Sequence, residues 1–123
     1  MPIEVDIVGQ LVPQIEEAMA APGDDKPYLA AAMFYYEHDV DLDKSLAWID
    51  AALRQQPQAV WIQYRKGLIQ HKMGDLAGAR LSAEEAHSMA GAMNGEIADE
   101  YKRLSQSLLA ALEEDAQGES RGR

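Results

Sequence analysis

The sequence contains no cysteine, which excludes disulfide bonds, thiolate nucleophiles and metal centres ligated by cysteine. Basic residues are also scarce, since 11 lysines and arginines stand against 21 acidic residues, for a net charge of −10. That charge argues against nucleic-acid partners and anionic membranes, both of which require positive charge. No apolar run approaches the roughly 18 residues of a membrane span, and the start of the chain lacks a signal-peptide pattern. A soluble, cytoplasmic protein is expected.

Signals for β-structure are missing as well. β-Branched residues are few, and no stretch of five or more residues alternates apolar and polar side chains as a surface strand does. Alanine and leucine are abundant instead, and prolines and Gly-Asp pairs separate segments of about 12 to 18 residues, the length of ordinary helices. With 123 residues, of which 47% are apolar, the chain is predicted to form one all-α domain.

A repeat with a period of 34 residues is the most informative pattern. Displacing the sequence by 34 residues places residues 27–57 on residues 61–91. Identical residues then coincide: Asp41 with Asp75, Leu42 with Leu76, and Ala52 with Ala86. Each segment is typical of a helix, a tight turn and a second helix, in which Asp43 is expected to cap the second helix of the first pair. A single pair of this size cannot bury its apolar face, so the two pairs are expected to stack.

The pattern of small residues and turn residues resembles the tetratricopeptide repeat. The second unit carries the resemblance through Gly67, Gly74, Asp75, Ala79 and Ala86, and the first through Tyr36, Ala52 and Pro57. The departures are Val40 in place of the turn glycine and polar side chains at Gln63, Lys66 and Gln70, where apolar ones are usual. The resemblance covers about residues 27–91. It implies a right-handed stack of antiparallel helix pairs, a superhelix with a concave groove.

Amphipathic helices are predicted on both sides of the repeats. Residues 1–22 form a leading helix, which Pro13 is expected either to kink or to start, because proline lacks an N–H group and clashes with the preceding turn. Residues 94–114 form a closing helix that shields the last repeat. The apolar stripes are Val5, Val8, Val12, Ile15 and Met19 in the first, and Ile97, Tyr101, Leu104, Leu108 and Leu112 in the second. The predicted units are therefore 1–22, a first helix pair at 27–57, a second at 59–91, the closing helix at 94–114, and a disordered tail at 115–123.

Residues that could carry catalysis or bind a metal are few. His38, His71 and His87 fall in different predicted helices, without the i, i+4 partner of a metal site. The motifs HExxH and GxSxG and a phosphate-binding glycine loop are absent from the sequence. Residues 39–43 copy the first three oxygen ligands of an EF-hand loop, but Lys44 stands where the turn requires glycine. We therefore predict no catalytic residue, no metal and no cofactor.

Large side chains on the first helix of each unit are the candidate binding residues. The resemblance implies a partner-binding groove that consists of Phe34, His38, Trp61, Tyr64, Arg65, Leu68, His71 and Lys72. Such a groove is too apolar to stay uncovered in a soluble protein. Between Ala51 and Gly74 there are four basic residues and no acidic one, so aromatic anchors lie beside positive charge, as at binding hot spots. Arg65 and Lys72 favour an acidic ligand, although only Arg65 fits the carboxylate clamp that some members of the family carry.

Three interpretations of the groove remain open from the sequence. A peptide or helix of another protein could occupy it, the chain's own residues 1–20 could fold back into it, or a second copy could cover it in a homodimer. Burial of Trp61 and Tyr64 is expected in all three cases. The predicted function is a non-catalytic protein–protein interaction module. The alternative is a structural or oligomerising appendage of a larger protein, whose groove its own N-terminal helix fills.

Overall fold

The computed structural model describes residues 7–23 and 25–121, and Val5 of the predicted leading stripe lies outside these ranges. Within them the chain forms six helices and no strand, so the all-α prediction is confirmed. The helices are α1 (Ile7–Ala20), α2 (Tyr28–Glu37), α3 (Leu42–Gln55), α4 (Val60–Met73), α5 (Leu76–Gly91) and α6 (Glu96–Arg121). None of these helices is both long enough and apolar enough to cross a membrane.

Helices α2 to α6 pack mainly against their neighbours in the sequence. Helix α2 packs on α3, α3 on α4, α4 on α5 and α5 on α6, while α4 and α6 also meet directly. The first core cluster joins α2, α3 and α4 and consists of Ala32, Ile49, Ala52, Ala59, Ile62 and Ile69. The helices can stack in this way because each presents its apolar side chains at a helical spacing.

Helix α5 contributes a face of small residues to the centre of the molecule. Ala79, Ala83, Ala86 and Ala90 are fully buried. Two further core clusters form on this alanine face: one includes Leu108 and Leu112 of α6, and the other includes Val60 of α4. Because alanine has a short side chain, α4 and α6 can both approach the α5 backbone closely.

The turns inside the two helix pairs differ in length, with four residues between α2 and α3 and two between α4 and α5. In the second pair, Gly74 ends α4 with a left-handed φ of 86°, and the Asp75 side chain caps α5 by accepting a hydrogen bond from the Gly78 N–H at 3.0 Å. In the first pair the left-handed residue is Asp39, with a φ of 52°. The cap of α3 is Asp41, whose carboxylate accepts from the Lys44 N–H at 3.2 Å.

The predicted cap of α3 is therefore wrong. Asp43 lies within the first turn of the helix, because α3 already begins at Leu42. A capping residue needs a non-helical backbone, which Asp41 has, with φ −160° and ψ 97°. Asp43 still carries a favourable charge there, since the amino-terminal end of a helix attracts anions.

The two flanking helices also depart from the prediction. Helix α1 begins before Pro13 and continues through it, so the alternative in which the helix starts at that proline is wrong. Helix α6 continues to Arg121, which contradicts the disordered tail over residues 115–121; residues 122–123 lie outside the described chain. Glu113, Glu114, Ala116 and Gln117, which follow the last stripe residue Leu112, are good helix formers and extend the helix.

One member of the predicted stripe of α6 faces solvent. Ile97 is 58% exposed, whereas Leu108 and Leu112 are buried as expected. Ala98 and Ser105 are buried in addition, because α6 lies on both α4 and α5 and needs small side chains where it crosses them.

Candidate partner-binding face

Helix α6 covers part of the predicted groove on α4. The rings of Tyr64 and Tyr101 meet edge to face with their centroids 5.8 Å apart, and Leu68 packs against the cluster that contains Leu108. At the other end of α4, His71 Nε2 lies 2.5 Å from a carboxylate oxygen of Asp115. The contacts advance along both helices together, so α4 and α6 run in the same general direction. Burial raises the pKa of Tyr64, and the nearby Tyr36 adds to that shift.

Gly67 is the residue that lets α6 approach α4. A Cβ atom at this position would lie 3.1 Å from Leu108 Cδ2 and 3.5 Å from Ser82 Cβ. Gly67 is therefore a packing residue at the junction of three helices, and its helical backbone does not itself require glycine.

The amino-terminal end of α4 remains open. Trp61 is 36% exposed, and Ile97 on the neighbouring end of α6 is 58% exposed. Arg65 joins the two helices, because its Nη1 donates to the Trp61 carbonyl at 2.9 Å and to the Tyr101 hydroxyl at 3.3 Å. Trp61 and Arg65 are one helical turn apart on α4, as are Ile97 and Tyr101 on α6. We call these four residues the Trp61 face.

Lys72 and Arg65, the two predicted groove cations, have different partners. Lys72 is engaged within the chain: its Nζ lies 4.4 Å from the centre of the Tyr36 ring, 2.7 Å from the Tyr36 carbonyl and 3.1 Å from Asp39. These contacts join the carboxyl ends of α2 and α4. Among the described side chains, no carboxylate lies within ion-pair distance of Arg65. Its guanidinium therefore keeps N–H donors for an external acceptor.

The first unit contributes its predicted residues to a separate place. The rings of Phe34 and His38 lie 4.4 Å apart, and His38 is exposed at the end of α2. Phe34 also lines an apolar cavity of about 320 Å³ between α1 and α2. The other residues that line this cavity are Leu11, Gln14, Ile15, Ala18, Met19, Pro27, Ala30 and Ala31.

The part of α2 that lines this cavity corresponds, in the 34-residue repeat, to the part of α4 that carries Trp61 and Arg65. The four cavity residues from Pro27 onward coincide with residues of the second unit when the sequence is displaced by 34. The pairs are Pro27 with Trp61, Ala30 with Tyr64, Ala31 with Arg65, and Phe34 with Leu68. Helix α1 thus lies on the face of the first unit that corresponds to the predicted groove of the second unit. We call the part of α2 beneath α1 the α1 seat.

A polar anchor holds α1 at one edge of its seat. The Glu16 carboxylate accepts hydrogen bonds from Lys44 Nζ at 2.6 and 2.7 Å and from the Tyr35 hydroxyl at 2.6 Å. Tyr35 is fully buried, and its ring meets the Trp48 ring edge to face at 4.7 Å. The hydrogen bonds from Lys44 and Tyr35 hold the pKa of Glu16 below its usual range. Burial and the Glu16 charge raise the pKa of Tyr35.

Acidification is expected to weaken this anchor. The pKa of Glu16 is lower in the folded chain than in the unfolded one, so its stabilising effect is present above about pH 4.5 and is lost as the pH falls through the folded value. In a Trp61→Phe chain, Trp48 emission should report that loss. A chain with Trp61→Phe and Glu16→Gln should not show this change of Trp48 emission with pH. If the change is the same in that chain, other carboxylates cause it.

None of the described residues buries Trp61, which stays 36% exposed, so covering by the chain's own leading helix is not observed; burial by a peptide or by a second copy stays a prediction. Helix α1 lies on α2, and α6 meets α4 only from Tyr64 onward. Neither helix therefore covers the Trp61 indole at the start of α4. The sequence did not indicate two of the contacts described above. Tyr101 was assigned only to the apolar stripe of α6, and no pattern connects Glu16 with Tyr35 and Lys44, which are 19 and 28 residues away.

The described side chains contain no group of three or more histidine or carboxylate residues that could hold a metal ion. Comparison of the chain with protein-family models, with curated proteins and with solved structures finds no match.

Proposed function

We propose that the chain is a non-catalytic protein–protein interaction module built from two tetratricopeptide-like helix pairs, and that it binds an acidic peptide or helix at the Trp61 face. One observation carries this proposal: an exposed indole lies one helical turn from an arginine without a carboxylate partner among the described residues. Tryptophan, tyrosine and arginine are the residues most enriched at binding hot spots.

The geometry supports a division of roles within the face. Trp61 and Ile97 offer apolar surface for a partner's aliphatic or aromatic side chain. Arg65 is held in place by two hydrogen bonds through a single nitrogen, so it can donate to a carboxylate without first being ordered. The net charge of −10 opposes an acidic partner at long range, but charges beyond about 8 Å are screened at physiological salt.

A second candidate function has support from the α1 seat. Helix α1 already lies on the first unit's counterpart of the groove, as expected of an appendage that fills its own binding surface. Under this alternative the module has a structural role in a larger protein, and no free ligand binds to it.

Peptide selection on the intact chain tests the first proposal. A random 12-residue peptide library displayed on phage should yield peptides that combine an acidic residue with a large apolar one. In a Trp48→Phe chain, where Trp61 is the remaining tryptophan, the selected peptides should shift its emission. We expect Trp61→Ala and Arg65→Gln each to weaken binding by about tenfold or more, as the loss of a hot-spot residue does.

The matched control is Leu81→Ala, which removes a side chain that is 68% exposed on α5. It should leave peptide binding unchanged. Equal binding to all three variants, or no selected peptide, would contradict the proposal and favour the structural appendage. A concentration-dependent dimer that Trp61→Ala abolishes would instead identify a second copy as the occupant of the face.

A further inference from the structure

We infer that α1 is a displaceable internal ligand, and that its seat accepts a partner's amphipathic helix that carries a carboxylate at the position of Glu16 and larger apolar side chains toward α2. This inference rests on the proposed function, because it concerns the corresponding face of the first repeat unit. The α1 seat would be a second contact region beside the Trp61 face, and α1 would compete with the partner's helix for it.

Helix α1 does not fill the seat on which it lies. The cavity of about 320 Å³ between α1 and α2 is open to solvent, because Ala18 and Ala30 in its lining are exposed. Three alanines, Ala18, Ala30 and Ala31, face this space. A helix with leucine or phenylalanine in place of Ala18 could bury additional apolar surface there, so α1 is not the best occupant of its own seat.

Tyr35 specifies the polar chemistry of any occupant. Its side chain is fully buried, and its hydroxyl donates to Glu16. A replacement helix that covered this hydroxyl without supplying an acceptor would leave a buried polar group unpaired, which is unfavourable. A replacement helix must therefore bring an acceptor to the same point, and Lys44 beside it favours a carboxylate over a neutral group.

The attachment of α1 permits exchange. The side chains of Lys44 and Glu16 are 46% and 38% exposed, so water weakens the ion pair and the hydrogen bond from Tyr35 to Glu16 is the main polar attachment of α1. Ala21, Pro22 and Gly23, which follow α1, are exposed, and Gly23 has a left-handed φ of 104°. The chain can thus leave the seat by rotating about this segment while α2 to α6 keep their mutual contacts.

A peptide in trans tests the exchange on the intact chain. The probe is a fluorescein-labelled peptide with the sequence of residues 7–20 and the substitution Ala18→Leu. The receptor is the full chain with Trp61→Phe, so that Trp48 reports the seat, in a wild-type and a Glu16→Ala form. We expect the peptide to bind the Glu16→Ala chain at least tenfold more tightly, because α1 competes less well there, and to change Trp48 emission.

Neighbouring glutamates supply matched controls. Glu17 is exposed next to Glu16, so a Glu17→Ala chain should bind the peptide as the wild-type chain does. A probe peptide that also carries Glu16→Ala should bind at least tenfold more weakly, whereas one with Glu17→Ala should not. Circular dichroism of the Glu16→Ala chain should retain the helical signal of α2 to α6.

Three results would overturn the inference: equal binding to the Glu16→Ala and Glu17→Ala chains, no binding at millimolar peptide, or an unfolded Glu16→Ala chain, which would make α1 an essential part of the fold. Failure here is distinguishable from failure of the Trp61 face. The peptides selected for that face are read by Trp61 in the Trp48→Phe chain, and the α1 probe is read by Trp48.

Discussion

Truncation of Ile69 to alanine is expected to lower the free energy of unfolding by about 3 kcal/mol, within the 2 to 5 kcal/mol observed for such core truncations. Ile69 is fully buried in α4, in the core cluster that α4 shares with α2 and α3. The substitution removes apolar contacts and leaves a cavity that the surrounding helices can close only in part. Because Ile69 joins both helix pairs, the loss should weaken the whole stack.

Urea denaturation followed by circular dichroism measures this effect, and Leu81→Ala provides the comparison. Leu81 is 68% exposed, so its truncation should change the free energy of unfolding by no more than about 0.5 kcal/mol. Similar losses in the two variants would contradict the packing of α4 against the first helix pair. A changed denaturant slope in Ile69→Ala would indicate that the two pairs no longer unfold together.

Replacement of Gly67 by valine is expected to destabilise the chain by about 1 to 3 kcal/mol, the usual range for overpacking a core. A Cβ atom alone would already lie 3.1 Å from Leu108, and the branched side chain adds two methyl groups at the junction of α4, α5 and α6. The higher helix propensity of valine recovers only a few tenths of a kcal/mol. The substitution should therefore push α6 away from α4.

Gly91→Ala is the control for glycine replacement. Gly91 ends α5, and a Cβ atom there meets no heavy atom within 4 Å. Alanine should be neutral or stabilise by up to about 1 kcal/mol, because it restricts the unfolded chain. Amide hydrogen exchange would locate the effect, since α6 should exchange faster in Gly67→Val and not in Gly91→Ala. Unchanged protection of α6 in Gly67→Val would contradict its close contact with α4.

The helices were predictable from the sequence because their apolar residues recur at the helical period and glycine or aspartate marks the turns. Gly74 and Asp75 end one helix and cap the next. The cap of α3 was misplaced because two aspartates, Asp41 and Asp43, both fit the pattern. Only the backbone path after Asp39 decides between them, and that path depends on how α2 and α3 pack.

The candidate site was predictable in composition but not in arrangement. The 34-residue period and helical spacing place Trp61 and Arg65 on one side of α4, because residues one helical turn apart share a face. They could not show which part of that face another helix covers. That outcome depends on the small residue Gly67, which admits α6, and on the pairing of Glu16 with Tyr35, which keeps α1 on α2.

The alanine face of α5 has a consequence for how this protein can change over time. Because α4 and α6 both rest on Ala79, Ala83, Ala86 and Ala90, enlarging any one of them displaces helices instead of filling space. Accepted substitutions there should be confined to glycine and serine, while the exposed neighbours Glu84 and Glu85 vary freely. Variation of the proposed binding surfaces must then come from α1 and from the open ends of α4 and α6, which can diverge without disturbing α5.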